Sequence, residues 1–302
     1  MISASMVKEL REQTGCGMMD CKKALTETNA DMEAALEFLR KKGLATAEKK
    51  SGRIASEGVV KSLIDGKVGV LLEVNSETDF VAKNAEFQAF VDEVAALIAK
   101  NAPADVEALK AEQLGGMTVA EALTEKIAKI GENMNIRRFE RIDTKGVVVD
   151  YIHAAGKIGV LVEAEAEDND DVREALRNIA MQIAALNPKY LSSDDVSEEY
   201  KEHEKSILMA QAKEDPKNAS KPDEIIEKMI MGRLNKEFKE ICLLEQEYVK
   251  AENKENVKGY IDAVSKKIGS PIKLVKFVRF EKGEGLEKKE DNFAEEIANM
   301  VK

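Results

Sequence analysis

Two stretches of this chain repeat one another, and the repeat limits its fold more than any other feature. Gly58-Val-Val-Lys-Ser-Leu-Ile-Asp-Gly-Lys-Val-Gly-Val-Leu-Leu-Glu-Val74 returns as Gly146-Val-Val-Val-Asp-Tyr-Ile-His-Ala-Ala-Gly-Lys-Ile-Gly-Val-Leu-Val-Glu-Ala164. The two share Gly-Lys-(Val/Ile)-Gly-Val-Leu-(Leu/Val)-Glu without a gap. In the first copy, Asp65-Gly66 lies between two runs rich in β-branched residues, a strong signal for a two-residue hairpin turn. The second copy has two more residues in its turn, and His153 sits there. An amphipathic helix follows each hairpin, marked by Phe87, Phe90, Val91, Val94, Leu97 and Ile98 in one copy and Val172, Leu176, Ile179 and Ile183 in the other. Each copy then closes on Lys-Ile-Gly (129–131 and 267–269) and a last strand, over 135–142 and 272–280. Two copies are too few for a solenoid. The pattern predicts an α+β fold with two repeated subdomains, each a small antiparallel sheet backed by helices, over 58–144 and 145–280.

The copies differ in length. Gly66 and Gly156 are 90 positions apart but Gly131 and Gly269 are 138 apart, so the second copy holds an insertion of 48 residues, roughly within 187–232. It reads as an antiparallel helical hairpin, with helices from Ser197 and Asp223 and a turn containing Pro216 and Pro222. Its narrow stripe of Tyr200, Ile207, Ile225, Met229 and Ile230 either packs within the hairpin or pairs with a second subunit. Residues 1–43 read as three short helices: Gly15-Cys16-Gly17 breaks the first, Asp31 opens the third and Gly43 stops it. A bundle this small has a thin core and needs a partner or stays hinged. Residues 44–57 form a polar linker. Beyond 281 a final helix is expected over Asp291–Val301, with Phe293, Ile297 and Met300 on one side.

One loop stands out. Thr78-Asp-Phe-Val-Ala-Lys-Asn84 connects the strand Val68–Val74 to a helix opening near Asn84. A bulky Phe80 beside Asp79 on a surface connection suits insertion into a partner's pocket. The alternative is local: Asp79 caps a helical turn and Phe80 folds back onto its own core.

Composition narrows the function. A formal net charge of −11 over 302 residues argues against a phosphate backbone as main partner. The absence of Trp and the few other aromatics weaken any single-strand stacking platform. No apolar run approaches membrane-spanning length, and the amino-terminal residues are amphipathic and charged, unlike a signal peptide. Three cysteines do not make a disulfide scaffold, so a soluble protein of a reducing cytoplasm is expected.

No catalytic site, cofactor site or metal site emerges. Cys16 and Cys21 lack a second Cys pair or nearby His for zinc; the chain has only His153 and His203. They read as small buried hydrophobes. Gly115-Gly116-Met117 lacks the Lys-Ser/Thr of a phosphate loop, and Glu163 and Glu165 alternate on a strand face without a catalytic context. The chain does not read as an enzyme.

Four motifs in order carry a family resemblance: Thr-Gly-Cys-Gly-Met-Met-Asp-Cys-Lys-Lys-Ala-Leu (14–25), Glu-Thr-Asp-Phe-Val-Ala-Lys-Asn (77–84), Ile-Gly-Glu-Asn-Met-Asn-Ile-Arg-Arg (130–138) and His-Ala-Ala-Gly-Lys-Ile-Gly-Val-Leu (153–161). Over essentially its full length the chain resembles the bacterial elongation factor Ts family. That resemblance implies a guanine-nucleotide exchange factor for the GTPase elongation factor Tu, promoting GDP release without binding nucleotide itself. Residues 1–43 resemble the ubiquitin-associated type of bundle, with Lys8, Arg11, Met18 and Met19 at partner-contacting positions. Thr78, Asp79, Phe80, Val81, Ala82 and Lys83 match the loop that pushes in beside the partner's Mg²⁺ site. Ile130 and Gly131 match another part of that interface. His153 matches a contact near the phosphates, on a loop one residue longer than in relatives; an exposed turn histidine is its other reading. The insertion matches the family's coiled-coil or dimerisation hairpin, and the final helix its C-terminal module. The runner-up is a passive scaffold or holdase without effect on nucleotide kinetics. A thiol enzyme built on Cys16 and Cys21 is a third reading.

Overall fold

The structure, a computed structural model, describes residues 2–288 apart from Pro216, Lys217, Ala219, Ser220 and Glu252. The expected helix over Asp291–Val301 and the Pro216 part of the hairpin turn lie outside the described residues.

Three helices open the chain: α1 (Ala4–Thr14), α2 (Met18–Glu27) and α3 (Met32–Lys50). Ser3 and Asp31 cap α1 and α3 by accepting the N–H groups of Met6 and Ala34. Their shared core is small: Val7, Leu10, Cys21, Ala24, Leu25, Ala35 and Leu39. The structure differs from expectation at Gly43, where α3 does not stop but runs on to Lys50, taking up half of the presumed linker. Glycine within a helix costs only about 1 kcal/mol, and tertiary packing outweighs that here. Gly43 is buried against the later helix that carries Ala128, where a β-carbon would make ordinary van der Waals contact with that side chain at 3.6 Å, and Ala47 packs on the neighbouring core.

The first sheet begins with β1 (Glu57–Asp65) and β2 (Val68–Ser76), paired from Glu57↔Ser76 to Asp65↔Val68. The two-residue turn is therefore Gly66-Lys67 and not the expected Asp65-Gly66: Asp65 stays in the ladder and Gly66 takes the left-handed position (φ 58°). After α4 (Asp79–Ala82), α5 (Ala85–Asn101), α6 (Val106–Ala111), a short ribbon of β3 (Gln113–Leu114) and β4 (Met117–Thr118), and α7 (Val119–Ile130), strand β5 (Met134–Asp143) returns antiparallel to β2. The second sheet repeats the plan. Strands β6 (Val147–His153) and β7 (Ile158–Glu165) form its hairpin; α8 (Asp170–Leu186), α9 (Glu198–Glu214), α10 (Asp223–Ile241) and α11 (Val257–Ile268) follow; β8 (Lys273–Glu281) closes it on β7. Strand orders are β1-β2-β5 and β6-β7-β8, and the register slips at equivalent points, Glu73/Val74 and Glu163/Ala164.

Period-two alternation explains the layers. On β2, Val70, Leu72 and Val74 face Phe87, Phe90, Val91, Val94 and Ile98. On β7, Val160, Val162 and Ala164 face Leu176, Ile179 and Ile183. The opposite faces meet each other: Val60, Leu71 and Ile142 pack on Val148, Leu161, Val278 and Phe280. The sheets therefore stand face to face, with helices outside both.

The inserted hairpin also differs in extent and stripe. Its second helix continues to Ile241 because Leu234 and Phe238 prolong the apolar face beyond Gly232. That face uses Ala212, Ile226, Ile230 and Leu234 with Leu208 and Met209, whereas Ile225 points to solvent.

Candidate functional site

The motif 77–84 folds into a braced turn. Strand β2 ends at Ser76, whose hydroxyl donates to the Thr78 carbonyl at 2.9 Å. Thr78 is extended (φ −129°, ψ 157°) and its Oγ1 caps α4 by accepting the Val81 N–H. The cap is thus Thr78, not Asp79. Val81 is buried in the first core, whereas Phe80 is 80% exposed, so the side chain does not fold back onto its own protein. Asn84 then caps α5 through the N–H groups of Glu86 and Phe87.

The 130–133 segment holds this turn from the side. Gly131 ends α7 in the left-handed region (φ 87°), and its carbonyl accepts from Nζ of Lys50 at the end of α3. Glu132 accepts both the Thr78 N–H, at 3.0 Å, and the Thr78 hydroxyl, at 2.7 Å. Glu77 reciprocates by accepting the Asn133 N–H at 2.6 Å, and Asn133 donates to the Arg53 carbonyl at 2.8 Å. Thr78–Lys83 and Ile130–Gly131 therefore belong to one assembly. Glu77, Glu132 and Asn133, which join them, were not singled out from the sequence. Their only signal was the occurrence of two motifs, 77–84 and 130–138, with polar residues at the facing ends.

Asp79 lies on the outer side of the turn. The Lys83 ammonium, 2.6 Å away, holds its carboxyl below the usual carboxylate value, and Lys282 adds a smaller pull in the same direction. Lys282 reaches the second sheet's hairpin as well. Its N–H donates to the Lys157 carbonyl at 2.8 Å, and its ammonium pairs with Glu57.

His153 is exposed at the end of β6, where Tyr151 Oη and its Nδ1 share a hydrogen bond of 3.0 Å. Ala154, Ala155 and Gly156 form the turn, and Gly156 abuts Val59 and Val60 of β1. The second hairpin's tip is thereby seated on the first sheet.

Lys8, Arg11, Met18 and Met19 are carried by the bundle, not the loop. Lys8 is solvent-facing beside Glu12, and Met18 and Met19 are 59% and 73% exposed while Leu10, Cys21 and Leu25 fill the core. The bundle is not free of the body: α3 lies on α7, Arg40 pairs with Glu121, and Lys129 stands against Gly15.

Among the described residues no group of three or more His, Cys, Asp or Glu side chains is placed to hold a metal ion, and no helix is long and apolar enough to cross a membrane. Cys16 is half-buried and Cys21 fully buried; desolvation pushes the Cys21 thiol up, away from nucleophilic reactivity.

Comparison with known proteins adds a family. A family model described as Elongation factor TS matches residues 77–284. A curated protein named Elongation factor Ts from Clostridium perfringens (strain SM101 / Type A) is 55% identical over 305 residues, covering 99% of each chain. Proteins of the same name from Syntrophotalea carbinolica (strain DSM 2380 / NBRC 103641 / GraBd1) and Magnetococcus marinus (strain ATCC BAA-1437 / JCM 17883 / MC-1) are 53% and 51% identical. The first of these covers 100% of this chain and 99% of its own length; the second covers 99% of both.

Proposed function

The chain belongs to the elongation factor Ts family, and from that premise we propose that it promotes release of GDP from elongation factor Tu, so that GTP can bind during translation elongation. The observation that carries the mechanism is Phe80: a large apolar side chain, 80% exposed, on a turn whose backbone is held from both sides.

Exchange needs no covalent chemistry. A factor that binds the nucleotide-free partner better than the nucleotide-bound one weakens nucleotide binding by the same ratio. Burying Phe80 in the partner contributes on the order of 2 kcal/mol for a full side chain, stabilising an open geometry of the nucleotide site. Asp79, kept ionised by Lys83, reorders polar groups that support the partner's Mg²⁺ without ligating the metal itself. His153 acts from the second hairpin on the phosphate side. The amino-terminal bundle, of the ubiquitin-associated type, docks through Lys8, Arg11 and the exposed pair Met18 and Met19, whose flexible thioethers suit an adaptable apolar contact.

Stopped-flow release of a fluorescent GDP from elongation factor Tu tests this. Strong, concentration-dependent acceleration is expected, and Phe80→Ala is expected to slow release far more than it weakens complex formation. Binding without acceleration would mean a passive scaffold. Equal losses in binding and release would leave Phe80 an ordinary contact.

A further inference from the structure

Helix α4 is four residues long. One turn fixes many dihedrals for few hydrogen bonds, so it does not hold its shape alone. Phe80 points outward and contributes nothing to that shape. The direction in which it projects must be set by other groups. The buried side chain of Val81, the Gln88 amide donating to the Ala82 carbonyl, and the Lys83–Asp79 ion pair act on the turn itself. Its entry at Thr78 is held by the Ser76 hydroxyl on the carbonyl and by the Glu132 carboxylate on the N–H and side chain.

We infer that Glu132 is the positioning residue of Phe80, fixing the turn through Thr78. The inference rests on the exchange function proposed above. The carboxylate receives two hydrogen bonds from one residue, the N–H and the hydroxyl of Thr78. Committing the hydroxyl proton to Glu132 turns the Thr78 oxygen's lone pair toward the Val81 N–H, so the carboxylate sets both the backbone entry to α4 and its cap. Val81 is the residue after Phe80, and its N–H is what the cap holds. Glu132 is itself anchored: it follows Gly131, whose carbonyl is taken by Lys50 of α3, and precedes Asn133, whose N–H is taken by Glu77. An aligned carboxylate on the body thus governs an exposed aromatic it does not touch.

The test uses the full chain carrying Glu132→Ala, Glu132→Gln or Thr78→Val, with Phe80→Ala as reference. Two readouts are independent. The first is the release rate of fluorescent GDP from elongation factor Tu at saturating factor, set against the concentration giving half that rate. The second needs no partner: the chain has no tryptophan, so Phe80→Trp supplies a single indole whose anisotropy decay reports the turn's mobility.

Glu132→Ala is expected to lower the saturating rate about tenfold, the scale of losing hydrogen bonds to a charged group, and to loosen the indole in the Phe80→Trp background. Glu132→Gln is expected to lose part of both, because the amide oxygen still accepts the Thr78 N–H but its NH₂ cannot accept the hydroxyl proton that orients the cap. Thr78→Val should fall between them, and it keeps the test decisive if Glu132→Ala folds poorly. A saturating rate and an indole decay unchanged by Glu132→Ala, with Phe80→Ala slow, would overturn the positioning role and leave the exchange function standing. If Phe80→Ala itself releases GDP at the parent rate, the exchange mechanism fails, and the indole decay alone then decides whether Glu132 orders the turn.

Discussion

Gly159 lies so close to Val60 that a β-carbon on it would stand 2.6 Å from that valine's Cγ1, and Gly69 repeats the relation with Val148 at 2.7 Å. The two glycines are the same position of the repeat, and so are the two valines. Leu71 and Leu161 complete the pairing, each lying against the glycine of the other sheet. The face-to-face contact of the sheets is therefore built from one motif used twice, and its glycines are there for close approach.

Replacing Gly159 with alanine should cost about 1–3 kcal/mol, the range for overpacking a filled interior. Val60→Ala in the same chain should recover part of the loss, since it vacates the space the new methyl needs. Urea unfolding midpoints of the two single variants and the double variant measure this non-additivity.

Phe80→Ala and Val81→Ala should behave in opposite ways despite being neighbours. Phe80 is exposed, so its removal should change stability by no more than about 0.5 kcal/mol. Val81 is buried, and truncating it should cost about 2 kcal/mol. Thermal denaturation of both variants checks this, alongside the release assay.

Glu73 should make the fold sensitive to acid. Burial alone would raise its pKa, but the Gly283 N–H, the Asn75 amide and Arg138 outweigh burial and hold it below the ordinary value. A depressed folded pKa means that the stabilisation is fully present above the unfolded value of about 4.3 and is lost as pH falls through the lower folded value. Glu73→Gln should flatten that limb of a stability–pH curve. It should also destabilise the protein at neutral pH by up to about 3 kcal/mol, because Arg137 and Arg138 lose their shared carboxylate.

Thiol labelling of the native protein near pH 7.5 should find Cys16 first. Cys21 and Cys242 are buried, and desolvation pushes the Cys242 thiol up to about 11, so both should react only as the chain unfolds. Rapid native labelling of Cys21 would revive a thiol chemistry that the geometry does not favour.

The sequence by itself determined the elements that depend on local rules. Hairpins at Gly66 and Gly156, the helices after them and the glycine stops at 131 and 269 follow from two- and 3.6-residue periodicities and from turn chemistry. The sequence placed Phe80 on a surface connection but left it free to fold back, and its exposure was decided by Val81 taking the place in the core. Where tertiary packing opposed a local rule, it prevailed: α3 passes through Gly43 because α7 covers it, and α10 runs past the expected end of the insertion because Leu234 and Phe238 have a face to cover. Only the tertiary structure decided that the sheets meet through Gly69 and Gly159, and that Glu132 holds Thr78 from 54 positions away. Periodicity tells a residue which face it occupies, but the identity of the opposite face depends on which segments the whole chain brings together.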